Sequence, residues 1–187
     1  MSEADDAVDG LLALVDAMAE LPYGGELIDQ RNHALQAAAL AEGGGDALVA
    51  AALLHDIGYS EPVRQAFPGL PHEEAAARWL RPKLGTVVAS LVAAHVSAKR
   101  YLVRVDADYA FQLSAASVSS LRAQGGPASD EEVARWDALP WWPDAVALRR
   151  FDDAAKVVGL VTLPVSAYRP VLVRLALREH EAALHRD

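Results

Sequence analysis

Apolar residues recur every three or four positions along nearly the whole chain, and the apolar–polar alternation of a half-buried strand is scarce. Residues 7–21 put Leu11, Leu12, Val15 and Met18 on one side and predict an amphipathic helix, broken by Pro22-Tyr23-Gly24-Gly25. A second helix is expected over residues 26–42, stopped by Gly43-Gly44-Gly45. A third follows over residues 47–55 with Asp46 as its N-cap. The third is almost wholly apolar, which assigns it to the centre of the fold. Gly58, Pro62, Pro68 and Gly69 make residues 57–70 an irregular connection, and Pro71 is placed to open a helix through Arg81. A long helix is expected from Thr86 to about Val105. A polar stretch follows, holding Ser117, Ser119, Ser120 and Gln124-Gly125-Gly126-Pro127. Ser129 and Glu132 have capping-box spacing for a short helix. Helices over residues 144–158 and 165–185 end the chain, the last kinked or delayed by Pro170. The pattern predicts an all-α fold, a compact bundle of roughly seven to nine helices.

Composition narrows the class. At 187 residues, 52% hydrophobic and 23% charged, the chain suits one soluble globular domain over residues 1–187. The formal net charge of -9 repels phosphate backbones and anionic lipids, so nucleic acid and membrane are not expected partners. A local pocket can still reverse that field for a small anion. The absence of cysteine excludes disulfides and thiolate metal sites. The acidic start MSEADDAVDG lacks the order of a signal peptide, and no apolar run approaches the ~18 residues a bilayer span needs. A cytoplasmic location is expected.

The chemistry is in the histidines. His180 and His185 lie on a charged tail, whereas His33, His55, His72 and His95 fall on or beside four separate predicted helices. Asp56 follows His55 at the end of the most apolar helix, where a buried carboxylate is costly unless paired or metal-bound. Imidazoles and a carboxylate converging from several helices can build a two-metal site in a bundle core. Taken singly, His33 reads more often as a hydrogen-bonded core or surface residue, and His72 as a surface residue at a helix N-terminus, than as a ligand. The order His, His-Asp, His, His and a late Asp carries the signal.

That order resembles the HD-domain superfamily. The segments YGGELIDQRNHALQAA, AALLHDIG, PHEEAAARWL, HVSAKRYL, SAASVSSLRAQGGP and LRRFDDAAK together look like its mixed-valent diiron oxygenases, which cleave organophosphonates. The nearest type is 2-amino-1-hydroxyethylphosphonate dioxygenase. The likeness runs from about Tyr23 to Lys156, and a C-terminal helix over about residues 165–185 lies outside it.

The resemblance implies two irons, Fe(II) and Fe(III), bridged by Asp56. His33, His55 and Asp152 would complete one position, His72 and His95 the other. The final ligand is open by one residue, because Asp153 adjoins Asp152. Tyr23 and Glu26 would admit or hold substrate. Lys99 with Ser117, Ser120, Gln124 and Arg149 would bind a phosphonate. Arg149, Arg150 and Lys156 also read as plain helix salt bridges with Asp152 and Asp153. One departure stands out: a histidine usual in the family is Tyr59 here, a neutral group that still donates a hydrogen bond. The implied reaction is O2-dependent cleavage of the C–P bond of a small 1-hydroxyalkylphosphonate, giving phosphate and a carboxylate. The alternative is a metal-dependent HD phosphohydrolase acting on a small phosphate ester or nucleotide.

Overall fold

A computed structural model describes residues 3–185, and among them are ten α-helices and no β-strand. In α1 (Glu3–Ala17) the predicted spacing turns Val8, Leu11 and Val15 inward, and a 3₁₀ turn (Met18–Glu20) carries Met18 into the core. The chain then loops through residues 22–29, with Pro22 and Asp29 in an isolated antiparallel bridge. The Asp29 carboxylate accepts the Asn32 N–H at 2.7 Å and opens α2 (Gln30–Leu40), satisfying a donor that a helix start leaves free. The helix expected from residue 26 therefore begins later. Glu26 stands in the loop, its N–H donated to the Tyr23 carbonyl at 2.9 Å.

Gly43 and Gly45 both take φ 89, a left-handed backbone that other residues avoid, and reverse the chain into α3 (Asp46–Leu54). Asp46 is the first helical residue rather than the cap, and its carboxylate pairs with Arg174. Every residue from Leu48 to Leu54 is buried, and Leu53 and Leu54 contribute roughly 2 kcal/mol each by leaving water. The stretch expected to be irregular holds a 3₁₀ turn (Ile57–Tyr59) and a short α4 (Glu61–Ala66). Pro62 lies in the first turn of α4, where its missing N–H costs nothing.

The two helices expected around Pro71 and Thr86 form one element, α5 (His72–Val105), broken at Gly85, whose φ 88 and ψ 174 are not helical. The halves fold back on each other there. A straight helix would separate His72 from His95 by roughly 35 Å at its ordinary rise, yet their rings touch. Two further helices occupy the polar stretch, α6 (Tyr109–Gln112) and α7 (Ala115–Ala123), the latter capped by Ser114. The predicted capping box of Ser129 and Glu132 opens α8 (Asp130–Asp137). α9 (Trp142–Ala154) starts earlier than expected because Pro143 fits its first turn. Pro170 likewise sits at the start of α10 (Arg169–Leu184), behind a 3₁₀ turn (Val165–Tyr168).

The core follows from this order. α3 packs against α2, α5 and α10, and α9 crosses α2, α3 and α5. Trp142 is buried and stacks on Trp136 at 5.0 Å, which makes it a packing residue. No helix among the described residues is long and apolar enough to cross a membrane.

Candidate metal centre

Two helical hairpins each close on a pair of imidazoles. Across α2 and α3, Nε2 of His33 lies 3.1 Å from Nε2 of His55. Across the bend in α5, Nε2 of His72 lies 3.1 Å from Nε2 of His95. Asp56 stands between the pairs. Its Oδ2 is 3.9 Å from His33 and 3.6 Å from His55, while its Oδ1 is 3.3 Å from His72 and 3.8 Å from His95. One carboxylate thus turns one oxygen toward each pair. Gly58 makes this approach possible: a Cβ there would fall on the carbonyl oxygen of His72.

The outer nitrogens decide what the inner ones offer. Nδ1 of His33, His55 and His95 lies 2.8, 2.8 and 2.7 Å from the carbonyls of Ala155, Ala52 and Val92. Nδ1 of His72 lies 3.0 Å from the Glu73 carboxylate. These oxygens only accept, so each Nδ1 carries a proton and each Nε2 is the nitrogen left to take a metal ion or a second proton. Two lone pairs facing at 3.1 Å repel, and a shared cation, a proton or a metal ion, resolves the conflict. Imidazoles bound to one ion at ~2.1 Å in adjacent positions hold their nitrogens roughly 3.0–3.4 Å apart, which the two pairs match. Imidazole with carboxylate and no thiolate suits Fe, Zn, Ni or Cu.

Electrostatics agree with the geometry. Burial would raise Asp56 and Asp152. His55, His72 and His95 hold the first well below the usual carboxylate range, and Arg149 with His33 does the same for the second, so both are ionised at neutral pH. Burial, with His72 and His55 nearby, pushes His95 down to about 3. Burial acts on His72 in the same sense, but Asp56 and Glu73 outweigh it and hold this imidazole up to about 9.

Asp152, from α9, adjoins the first pair, with Oδ1 3.4 Å from His33 Nε2 and accepting the Tyr23 hydroxyl at 3.1 Å. The Tyr23 ring stacks on His33 with centroids 3.9 Å apart. Asp153 points elsewhere, to Arg149, Tyr109 and Lys156. The sequence left these two aspartates open; the helix turns Asp152 alone toward the histidines.

A cavity of about 380 Å³ opens onto the centre and is lined by every side chain that the resemblance implied for substrate: Tyr23, Glu26, Tyr59, Lys99, Ser117, Ser120, Gln124 and Arg149. Lys99 donates to the Ser120 hydroxyl at 2.8 Å. Burial, then repulsion from Arg149, pushes its ammonium down to about 8. Ser117 accepts from Lys156 at 3.2 Å. The Tyr59 ring lies flat on His72, centroids 4.2 Å apart. Arg149 reaches the cavity wall with its guanidinium bound to Asp152 and Asp153, so the salt-bridge reading describes it in this arrangement. Arg150 turns away to Asp106. Sequence reasoning missed Glu73, Tyr109 and the cavity-lining Arg64. Only Glu73 left a trace, as the carboxylate next to a candidate ligand.

No family model matches the chain. Two characterised relatives do. It is 41% identical over 151 residues to hydroxymethylphosphonate dioxygenase from Gimesia maris, covering 76% of this chain and 75% of that protein. It is 34% identical over 175 residues to 1-hydroxy-2-(trimethylamino)ethylphosphonate dioxygenase (glycine-betaine-forming) from Leisingera caerulea, covering 90% of this chain and 89% of that one. With a centre of four imidazoles around a shared carboxylate, and relatives matched across most of their length, the chain belongs to the HD-domain-type family of phosphonate dioxygenases.

Proposed function

We propose that this protein is a diiron oxygenase that uses O2 to cleave the C–P bond of a small 1-hydroxyalkylphosphonate, releasing phosphate and a carboxylate. The observation that carries the reading is Asp56, one carboxylate with an oxygen toward each of two imidazole pairs. The relatives' names favour an oxygenase over the phosphohydrolase alternative.

His33, His55 and Asp152 would hold one iron and His72 and His95 the other, with Asp56 shared between them. A bound Fe(II)/Fe(III) pair supplies Lewis acidity toward the carbinol oxygen and the redox capacity to use O2. The overall reaction balances without an added reductant: hydroxyalkylphosphonate and one O2 yield carboxylate, phosphate and a proton.

The chain's own groups do the binding and orienting. Lys99, its ammonium steadied on the Ser120 hydroxyl, is a charged donor on the cavity wall, and Ser117 and Gln124 add polar atoms beside it, which together suit a phosphonate. Lys99 lies one helical turn from His95, so the anion would be held at a fixed distance from the metal ligands. The carbinol carbon would then face Asp56, with Tyr23 and Glu26 on the loop over it. Tyr59, kept neutral by burial and by nearby Asp56, would donate a hydrogen bond to the substrate near its second substituent.

The test is direct. The protein is loaded with iron, its metal content and EPR spectrum are recorded, and O2 uptake and phosphate release are followed with hydroxymethylphosphonate. Two irons per chain, a mixed-valent signal and equal consumption of O2 and production of phosphate are expected. Phosphate release from esters under anaerobic conditions with no O2 uptake would overturn the reading.

A further inference from the structure

Asp152 has two oxygens with different tasks. Oδ1 faces His33 Nε2 at 3.4 Å and accepts the Tyr23 hydroxyl, while Oδ2 accepts Nη1 of Arg149 at 2.7 Å. Arg149 is itself immobilised. Its Nη2 binds Oδ1 of Asp153, and its Nε donates to Oδ2 of Asp153 at 2.9 Å and to the Tyr109 hydroxyl at 3.1 Å. Tyr109 arrives from α6 and donates to Oδ2 of Asp153, so two helices close around one guanidinium. Arg149 is only 4% exposed, and a buried guanidinium is stable only when such partners surround it.

All three guanidinium nitrogens are engaged by side-chain oxygens. Nη1 and Nη2 each keep one further N–H, so whatever Arg149 offers the cavity it offers from a position that Asp152 and Asp153 fix. The residue that the family resemblance marks for substrate contact is, in this chain, committed to the carboxylate beside the histidines.

We propose that Asp153 and Tyr109 are positioning residues: they lock Arg149 so that Asp152 presents Oδ1 alone to the metal beside His33. This rests on the diiron reading above. Removing either partner frees Arg149 to swing, and Asp152 then turns or engages through both oxygens. Groups outside the ligand set commonly set metal affinity this way.

The test uses iron-loaded full-length protein and three disruptive variants, Tyr109→Phe, Asp153→Asn and Arg149→Lys, with Asp153→Glu as the conservative rescue. Iron retained per chain is measured against increasing chelator, together with kcat and KM for hydroxymethylphosphonate and thermal melting. Each disruptive variant is expected to drop from two irons toward one at about tenfold lower chelator than the parent. Its kcat falls while its KM stays within about twofold. Tyr109→Phe removes one hydroxyl from a different helix, so it carries the test if Asp153→Asn fails to fold. Asp153→Glu should restore part of the iron retention. Unchanged iron retention with KM raised about tenfold in Tyr109→Phe and Arg149→Lys overturns the proposal and returns Arg149 to substrate binding. A parent protein that never holds two irons sinks the diiron reading instead, a result visible before any variant is compared.

Discussion

Lys99 on α5 donates to the hydroxyl of Ser120 on α7 at 2.8 Å, spanning the cavity wall one turn along the helix from His95. The contact ties the proposed anion site to the same rigid element that presents a proposed metal ligand.

Because the Lys99 ammonium is pushed down to about 8, it is charged below that pH and neutral above it. KM for a hydroxyalkylphosphonate should therefore climb as pH rises past about 8, by up to about tenfold per unit. Lys99→Arg should flatten the profile, since a guanidinium stays charged. Lys99→Ala should raise KM by roughly 10- to 100-fold below about pH 8, the worth of a charge-assisted hydrogen bond, with the gap to the parent closing at higher pH, and leave metal content intact. Steady-state kinetics from pH 6 to 10 with metal analysis provide the check. A flat profile in the parent protein removes Lys99 from binding.

His95→Ala should lower the metal content from two ions per chain to one, because it strips one imidazole from the pair that shares Oδ1 of Asp56. Elemental analysis after gel filtration measures it. Equal metal loss in Lys99→Ala would show that the roles of these two residues have been confused.

Gly58→Ala should cost about 2 kcal/mol or more in urea unfolding, an overpacking penalty against backbone rather than a yielding side chain. It should also weaken binding at the His72 and His95 position first, since the clash pushes the start of α5 away from Asp56. A variant with unchanged stability and two tightly held ions would contradict the close approach.

Tyr59→His should leave both metals bound and change substrate preference. The ring stacks on His72 and lines the cavity with 41% of its surface exposed, so in the proposed reaction it would meet substrate without ligating. The ratio of kcat/KM for hydroxymethylphosphonate over an amino-substituted analogue is expected to move by about tenfold, as contacts to a substituent do. An unmoved ratio would place the substituent away from residue 59.

Much of this was legible from the chain. Helical spacing announced the bundle, the Ser129–Glu132 box announced α8, and an aspartate at the end of an apolar helix pointed to a centre. Other features were hidden for physical reasons. The start of α2 was misread because Asp29, a better cap than anything near Glu26, competes for the helix N-terminus. α7 was obscured by its serines, which favour caps and turns in isolation. The choice between Asp152 and Asp153 needed the rotation of α9, since neighbours on a helix point about 100° apart. Tyr109 left no local trace, because only tertiary packing brings it to Arg149.

The fold-back at Gly85 has a consequence for how the centre is born. His72 and His95 are 23 positions apart, and His33 and His55 are 22 apart. Each couple needs only a short stretch of polypeptide to come together, and the entropy of closing such a loop is modest. Asp152, which lies 119 positions beyond His33 by subtraction of their numbers, must wait for α9 to dock. On loop length alone the nascent protein should hold two half-finished nests early and receive its last carboxylate late, so an ion captured during synthesis would first be gripped by imidazole and Asp56 alone.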